Sequence, residues 1–126
     1  MIRGIRGATT VSENEAVEIL DKTEMLLREM VEKNNVEPSD IATILITVTD
    51  DIDAVFPAKA LRRLVGFTFV PVTCAREIPV ANSLKKCIRI MMTVNTNLAP
   101  HEVKHVYQEG AIDLRPDLRL TKGSGL

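Results

Sequence analysis

Two stretches of this chain, Ile41 to Thr49 and Cys87 to Val94, are nearly uninterrupted runs of apolar, largely β-branched residues, the pattern of strands covered on both faces. Both are far shorter than the roughly 20 apolar residues of a membrane-spanning helix, so they belong in a protein core. Residues 12–33 carry a different period. Ser12 and Glu15 have the spacing of a capping box, opening a helix to about Lys33 with an apolar stripe of Ala16, Leu20, Thr23, Leu27, Met30 and Val31. Residues 2–6 predict a first strand with Ile2, Gly4 and Arg6 on one face. Pro57 is placed to open a second helix that Gly66 ends, and Phe67 to Cys74 returns as a strand. Pro100 opens a short helix before Tyr107, and Ala111 to Leu114 predicts a last strand.

Strands alternating with helices, without repeat or linker, predict an α/β (α+β) fold, a mixed β-sheet packed with helices. A single domain over residues 1–126 accounts for the chain, with 121–126 as a mobile tail. At 45% apolar residues, a chain of this size builds its core without disulfides.

Charge divides unevenly. The net −1 is the sum of −7 over residues 1–55 (twelve acids, five bases) and +6 over residues 56–126 (five acids, eleven bases). No basic excess marks a nucleic-acid or membrane surface, and the four aromatics, Phe56, Phe67, Phe69 and Tyr107, cannot build a base-stacking platform. Cys74 and Cys87, thirteen apart and without a ligand cluster, read as reduced packing thiols, and the N-terminus lacks a signal-peptide core. The expectation is a cytoplasmic protein with no membrane and no nucleic-acid partner.

Arg89 is the sharpest anomaly, since it interrupts a run that otherwise reads as buried. A buried guanidinium requires an anion, and losing that partner costs about 3–5 kcal/mol. Between Ala54 and His101 the only acid is Glu77, set against Lys59, Arg62, Arg63, Arg76, Lys85, Lys86 and Arg89. The partner is either Glu77, as a plain ion pair, or a ligand. Arg6 stands between Gly4 and Gly7, which let a ligand or another backbone approach, though an ordinary edge arginine reads the same. Lys59, Arg62 and Arg63 occupy neighbouring helical positions, either as a solvated face or bridged by an anion. His101-Glu102-Val103-Lys104-His105 fits the zinc motif H-E-x-x-H, but no third histidine exists and Pro100 puts His101 in a first turn. Two solvated histidines are expected there.

Five stretches in order resemble one family over essentially the whole chain: Ile2-Arg3-Gly4-Ile5-Arg6-Gly7-Ala8-Thr9-Thr10, Ala54-Val55-Phe56-Pro57-Ala58-Lys59-Ala60, Val70-Pro71-Val72-Thr73-Cys74, Leu84-Lys85-Lys86-Cys87-Ile88-Arg89 and Leu114-Arg115-Pro116-Asp117-Leu118. The chain is similar to the small monofunctional chorismate mutases of the AroH class. Two positions depart from that pattern: Ala81-Asn82-Ser83 where glycine is expected, and Phe67 in place of a tryptophan.

The resemblance implies a pseudo-α/β-barrel homotrimer with active sites between subunits, and the isomerisation of chorismate to prephenate in phenylalanine and tyrosine biosynthesis. It implies that Arg89 hydrogen-bonds the substrate's ether oxygen, that Glu77 accepts from its ring hydroxyl, that Arg6 holds a carboxylate, and that Tyr107 stands beside Arg6. Phe56, Lys59, Arg62, Thr73, Cys74, Leu114 and Arg115 match substrate-binding wall and entrance positions. A pericyclic reaction needs no nucleophile, proton transfer or metal, so no cofactor is expected. A non-catalytic module sensing small carboxylates would use the same basic pocket, and only turnover separates the two.

Overall fold

A computed structural model describes residues 1–114. Five strands, β1 (Ile2–Thr10), β2 (Ile41–Val48), β3 (Val72–Arg76), β4 (Cys87–Asn95) and β5 (Val106–Tyr107), form one mixed sheet in the order β3-β2-β4-β1-β5. β4 runs antiparallel to both neighbours, β1 and β2, whereas β3 is parallel to β2 and β5 to β1. The fold class expected from the alternation of elements is the one found.

One face of the sheet is closed by α1 (Ala16–Lys33), whose buried residues are Ile19, Thr23, Leu26, Leu27 and Met30. These meet Ile5, Ile44, Ile46, Ile88, Ile90 and Met92 in the core. Contact is close at Gly7, where any Cβ would collide with the Met30 sulfur. The opposite face of the sheet stays open, with Leu45 and Met91 exposed. Expecting both faces to be covered was therefore wrong for the isolated chain: β2 and β4 alternate in burial, and apolar residues on their second face lack cover within it.

Several predicted boundaries move, each for a local reason. β1 continues to Thr10, because every residue from Ile2 to Thr10 has a β4 partner. α1 starts at Ala16 without the Ser12–Glu15 capping box. Instead Glu18 reaches back, accepting from the Ser12 N–H at 2.6 Å, the Ser12 hydroxyl, and the Glu13 N–H at 3.0 Å. These bonds, led by the one from the Ser12 N–H, hold the Glu18 carboxyl below its ordinary range against desolvation, which works to raise it.

The second helix is a 3₁₀ segment, Pro57–Arg63, and it ends before Gly66, which adopts φ +87 in the turn beyond. Phe67 to Pro71 is turn rather than strand, with the Val70 N–H donating to Phe67 O at 3.1 Å. Pro71 has no N–H for a ladder, so pairing begins with its carbonyl, which accepts from Ile44 N–H at 2.9 Å. The predicted strand Ala111 to Leu114 is likewise a 3₁₀ segment, Glu109–Leu114. Glu109 turns the chain with φ 52, and the Gly110 N–H then donates to the Thr10 hydroxyl at 2.9 Å instead of joining the sheet. The expected tail at 121–126 lies outside the described residues. Among the described residues, no helix is long and apolar enough to cross a membrane.

Candidate active site

The open face of the sheet positions most of the charged candidates through strand register alone. β1, β4, β2 and β3 place Arg6, Met91, Leu45 and Thr73 in one transverse row. The next row, from β5 to β3, is Tyr107, Ala8, Arg89, Thr47 and Ala75. Arg6 and Arg89 thus lie on adjacent strands of one face, two residues out of register, although 83 positions separate them in the chain. A cavity of about 310 Å³ opens there, lined by Arg6, Leu45, Thr47, Arg89, Tyr107 and Leu114 among others.

Glu77 follows β3 and extends its pairing by one link, its N–H donating to Val48 O at 2.9 Å. Its carboxylate Oε2 lies 3.1 Å from Arg89 Nε as an ion pair and accepts from the Thr47 hydroxyl at 2.8 Å. The Arg89–Glu77 pair read from the sequence is therefore present. Arg89 is not buried as expected: its side chain is 44% exposed against 16% for Glu77. A pair so open to water contributes at most about 1 kcal/mol to folding. Arg89 engages Glu77 through Nε and its side chain also hydrogen-bonds the Cys87 thiol, which leaves the rest of a planar fork for a ligand.

Asp51 anchors the start of β4. It accepts from the Lys86 N–H at 2.9 Å and the Thr49 hydroxyl at 2.5 Å. Burial works to raise its pKa, but these two bonds outweigh it and hold the carboxyl below its ordinary range. Cys87 begins β4 beneath them. Burial, opposed by Arg89 and reinforced by Glu77, pushes its thiol up to about 11. Such a thiol is neutral at physiological pH and no nucleophile. At pH 8 only about a thousandth of it is thiolate, so iodoacetamide should spare Cys87 in the native protein and label it after denaturation, as peptide mass mapping would record. The raised value also has a stability consequence: the contribution of the neutral buried thiol is fully present below its ordinary value of 9.0 and is lost as pH rises through about 11.

Two site contacts were missed by sequence reasoning. One is Thr47 on Glu77. The other is His105, whose Nδ1 accepts from the Arg6 backbone N–H at 2.9 Å, so this histidine is tied to β1 rather than solvated. Both link residues far apart in the chain, and only strand pairing could have signalled them. The zinc spacing has no helix to act on, because only Pro100–Glu102 is helical, as 3₁₀, and His101 and His105 do not share a helical face. Among the described residues, no cluster of three or more His, Cys, Asp or Glu is placed to hold a metal ion.

The remaining candidates lie elsewhere. Phe56, Lys59 and Arg62, on and beside the Pro57–Arg63 segment, line a separate cavity of about 540 Å³. Cys74 points to the helix-covered side of β3 and lines a third cavity with Phe56 and Lys59. Neither shares a lining residue with the Arg6–Arg89 cavity. Thr73 is exposed on the open face, at the end of the Arg6 row. Arg63, expected as part of a basic patch, instead binds Asp21 at 2.7 Å and Glu24 at 3.2 Å on α1. Leu114 reaches the Arg6–Arg89 cavity, and Arg115 lies outside the described residues.

Comparison with known proteins places the chain in a family. The family described as chorismate mutase type I matches residues 2–118. Chorismate mutase AroH of Bacillus subtilis is 52% identical over 126 residues, covering 100% of this chain and 99% of that protein. Chorismate mutase AroH of Thermus thermophilus is 43% identical over 119 residues, 94% of this chain and 97% of the relative. A solved chorismate mutase from Clostridium thermocellum superposes with a TM-score of 0.84 at 53% identity, covering 86% of this chain and 96% of that one. This chain is therefore a member of the type I chorismate mutase family.

Proposed function

We infer that the chain is a chorismate mutase, an isomerase that converts chorismate to prephenate in aromatic amino acid biosynthesis. Besides family membership, one observation carries this reading: Arg6 and Arg89, from two adjacent strands, line one small cavity, and Arg89 pairs beside it with the carboxylate of Glu77. The reaction breaks a carbon–oxygen bond as it forms a carbon–carbon bond, in one step and within one molecule. Catalysis then consists of holding the substrate in its folded reactive conformer and stabilising charge on the ether oxygen as the bond lengthens. Arg6 grips a substrate carboxylate beside Tyr107, Arg89 donates through Nη to the ether oxygen, and Glu77 accepts from the ring hydroxyl. No residue of the chain transfers a proton or forms a covalent bond in this scheme.

The working enzyme on this reading is a homotrimer. Phe56, Lys59 and Arg62 do not reach the Arg89 cavity of their own chain, and the exposed Leu45 and Met91 leave an apolar face for another subunit. A second copy set against the open face would bring the two groups together, with Thr73, Cys74, Leu114 and Arg115 at the walls and entrance. A cytoplasmic location suits the two free thiols, Cys74 and Cys87.

The test is the loss of chorismate's ultraviolet absorbance, with and without a chelator. Chelator-insensitive loss with prephenate as product is expected. Binding without turnover would replace this reading with that of a small-carboxylate sensor.

A further inference from the structure

Glu77 has a task that its pairing with Arg89 alone would defeat. A carboxylate facing a guanidinium relaxes towards a two-oxygen, two-nitrogen fork, and that arrangement would occupy both the Nη donor and the oxygen needed by a ligand. Here the ion-pair contact with Arg89 Nε at 3.1 Å and the hydrogen bond from the Thr47 hydroxyl at 2.8 Å fall on one oxygen, Oε2. Among the described residues, Oε1 takes none. Thr47 is held in place for this. It lies on β2 directly across from Arg89 on β4, and Val48, the next residue, accepts from the Glu77 backbone N–H at 2.9 Å. Residues 47 and 48 therefore secure both ends of Glu77, its main chain and its carboxylate.

We propose that Thr47 is a positioning residue for the reaction, which holds the Glu77 carboxylate in a one-oxygen contact with Arg89 and so keeps Glu77 Oε1 available to substrate and the Arg89 Nη groups out of a two-pronged pair. This rests on the mutase reading above. Without the hydroxyl, the carboxylate is free to turn into the two-pronged pair with Arg89. The loss should then fall on the chemical step, because Arg6, which holds the substrate carboxylate, is untouched.

Thr47→Val keeps the β-branched shape and removes only the hydroxyl, whereas Thr47→Ser restores it. For Thr47→Val, kcat should fall about tenfold, the scale of one hydrogen bond to a charged group, with KM within about twofold of the wild type. Thr47→Ser should recover most of the lost kcat. Solvent exchange of the Arg89 Nε proton, followed by ¹⁵N NMR, should change in Thr47→Val and return to the wild-type rate in Thr47→Ser. A merely structural threonine would move neither the exchange rate nor the kcat-to-KM split. Thr47→Ala serves in the same two measurements if the valine variant does not fold. Unchanged kcat in a folded Thr47→Val enzyme overturns the proposal. If the wild-type protein does not turn chorismate over, the mutase reading fails, while the exchange measurement still decides whether Thr47 sets the Glu77–Arg89 contact.

Discussion

Arg89→Lys should fold like the wild type and lose about 10²–10³ in turnover, the loss seen when a fixed donor to developing charge is removed. Lysine keeps the charge but offers one nitrogen where arginine offers three. Arg89 already holds Glu77 through Nε, so a lysine that replaced that contact would have nothing left for the ether oxygen. Folding should be spared, because the side chain is 44% exposed and pairs so open contribute little to stability. The measurements are kcat at saturating chorismate and a thermal melt. Turnover near the wild-type level would remove Arg89 from its assigned role. Glu77→Ala supplies the complementary control: a stability loss with an unchanged rate would reduce Glu77 to a counter-ion.

The second large effect is expected from mixing subunits. If each site takes Arg6, Arg89 and Tyr107 from one chain and Arg62 from its neighbour, Arg89→Lys and Arg62→Ala damage different halves. Co-expressed in equal amounts and assembling at random, they should leave about a quarter of the sites in a closed ring with both halves intact. The mixture should then exceed the mean of the two separate variants several-fold. Equality with that mean would show that each chain builds its site alone. Sedimentation supplies the physical counterpart: the active species should have about three times the 14.0 kDa chain mass, and a fully active monomer on dilution would contradict the shared site.

How much of this was legible in the chain depended on the range of the interaction. α1 was readable because its stripe repeats at the helical period, though the buried positions include Ile19 and Leu26, which the stripe omitted. Its start was misplaced because Glu18, not Glu15, answers Ser12. β2 and β4 were readable from their apolar runs. β3 was displaced because Pro71 has no N–H, and the final segment became 3₁₀ because Thr10, about a hundred residues earlier, supplies a partner for the Gly110 N–H. Arg89 stood out as a charge in an apolar run and Glu77 as the only acid between Ala54 and His101. Thr47 and His105 did not, since a threonine in a strand and a histidine after a turn carry no local mark of what they touch.

The sequence by itself determined the inventory: a mixed α/β chain, a cationic set with one acid in its midst, and residues suited to binding a small dianion, not to nucleophilic or metal chemistry. Residue type and local period suffice for that. Tertiary structure alone decided which cations share a face, which oxygen of Glu77 is engaged, and that Lys59 and Arg62 stand apart from Arg89. Strand alternation sends neighbouring side chains to opposite faces, and register joins residues scores of positions apart. Which arginine meets which carboxylate is therefore settled by pairing in the sheet, a relation that no local stretch of sequence contains.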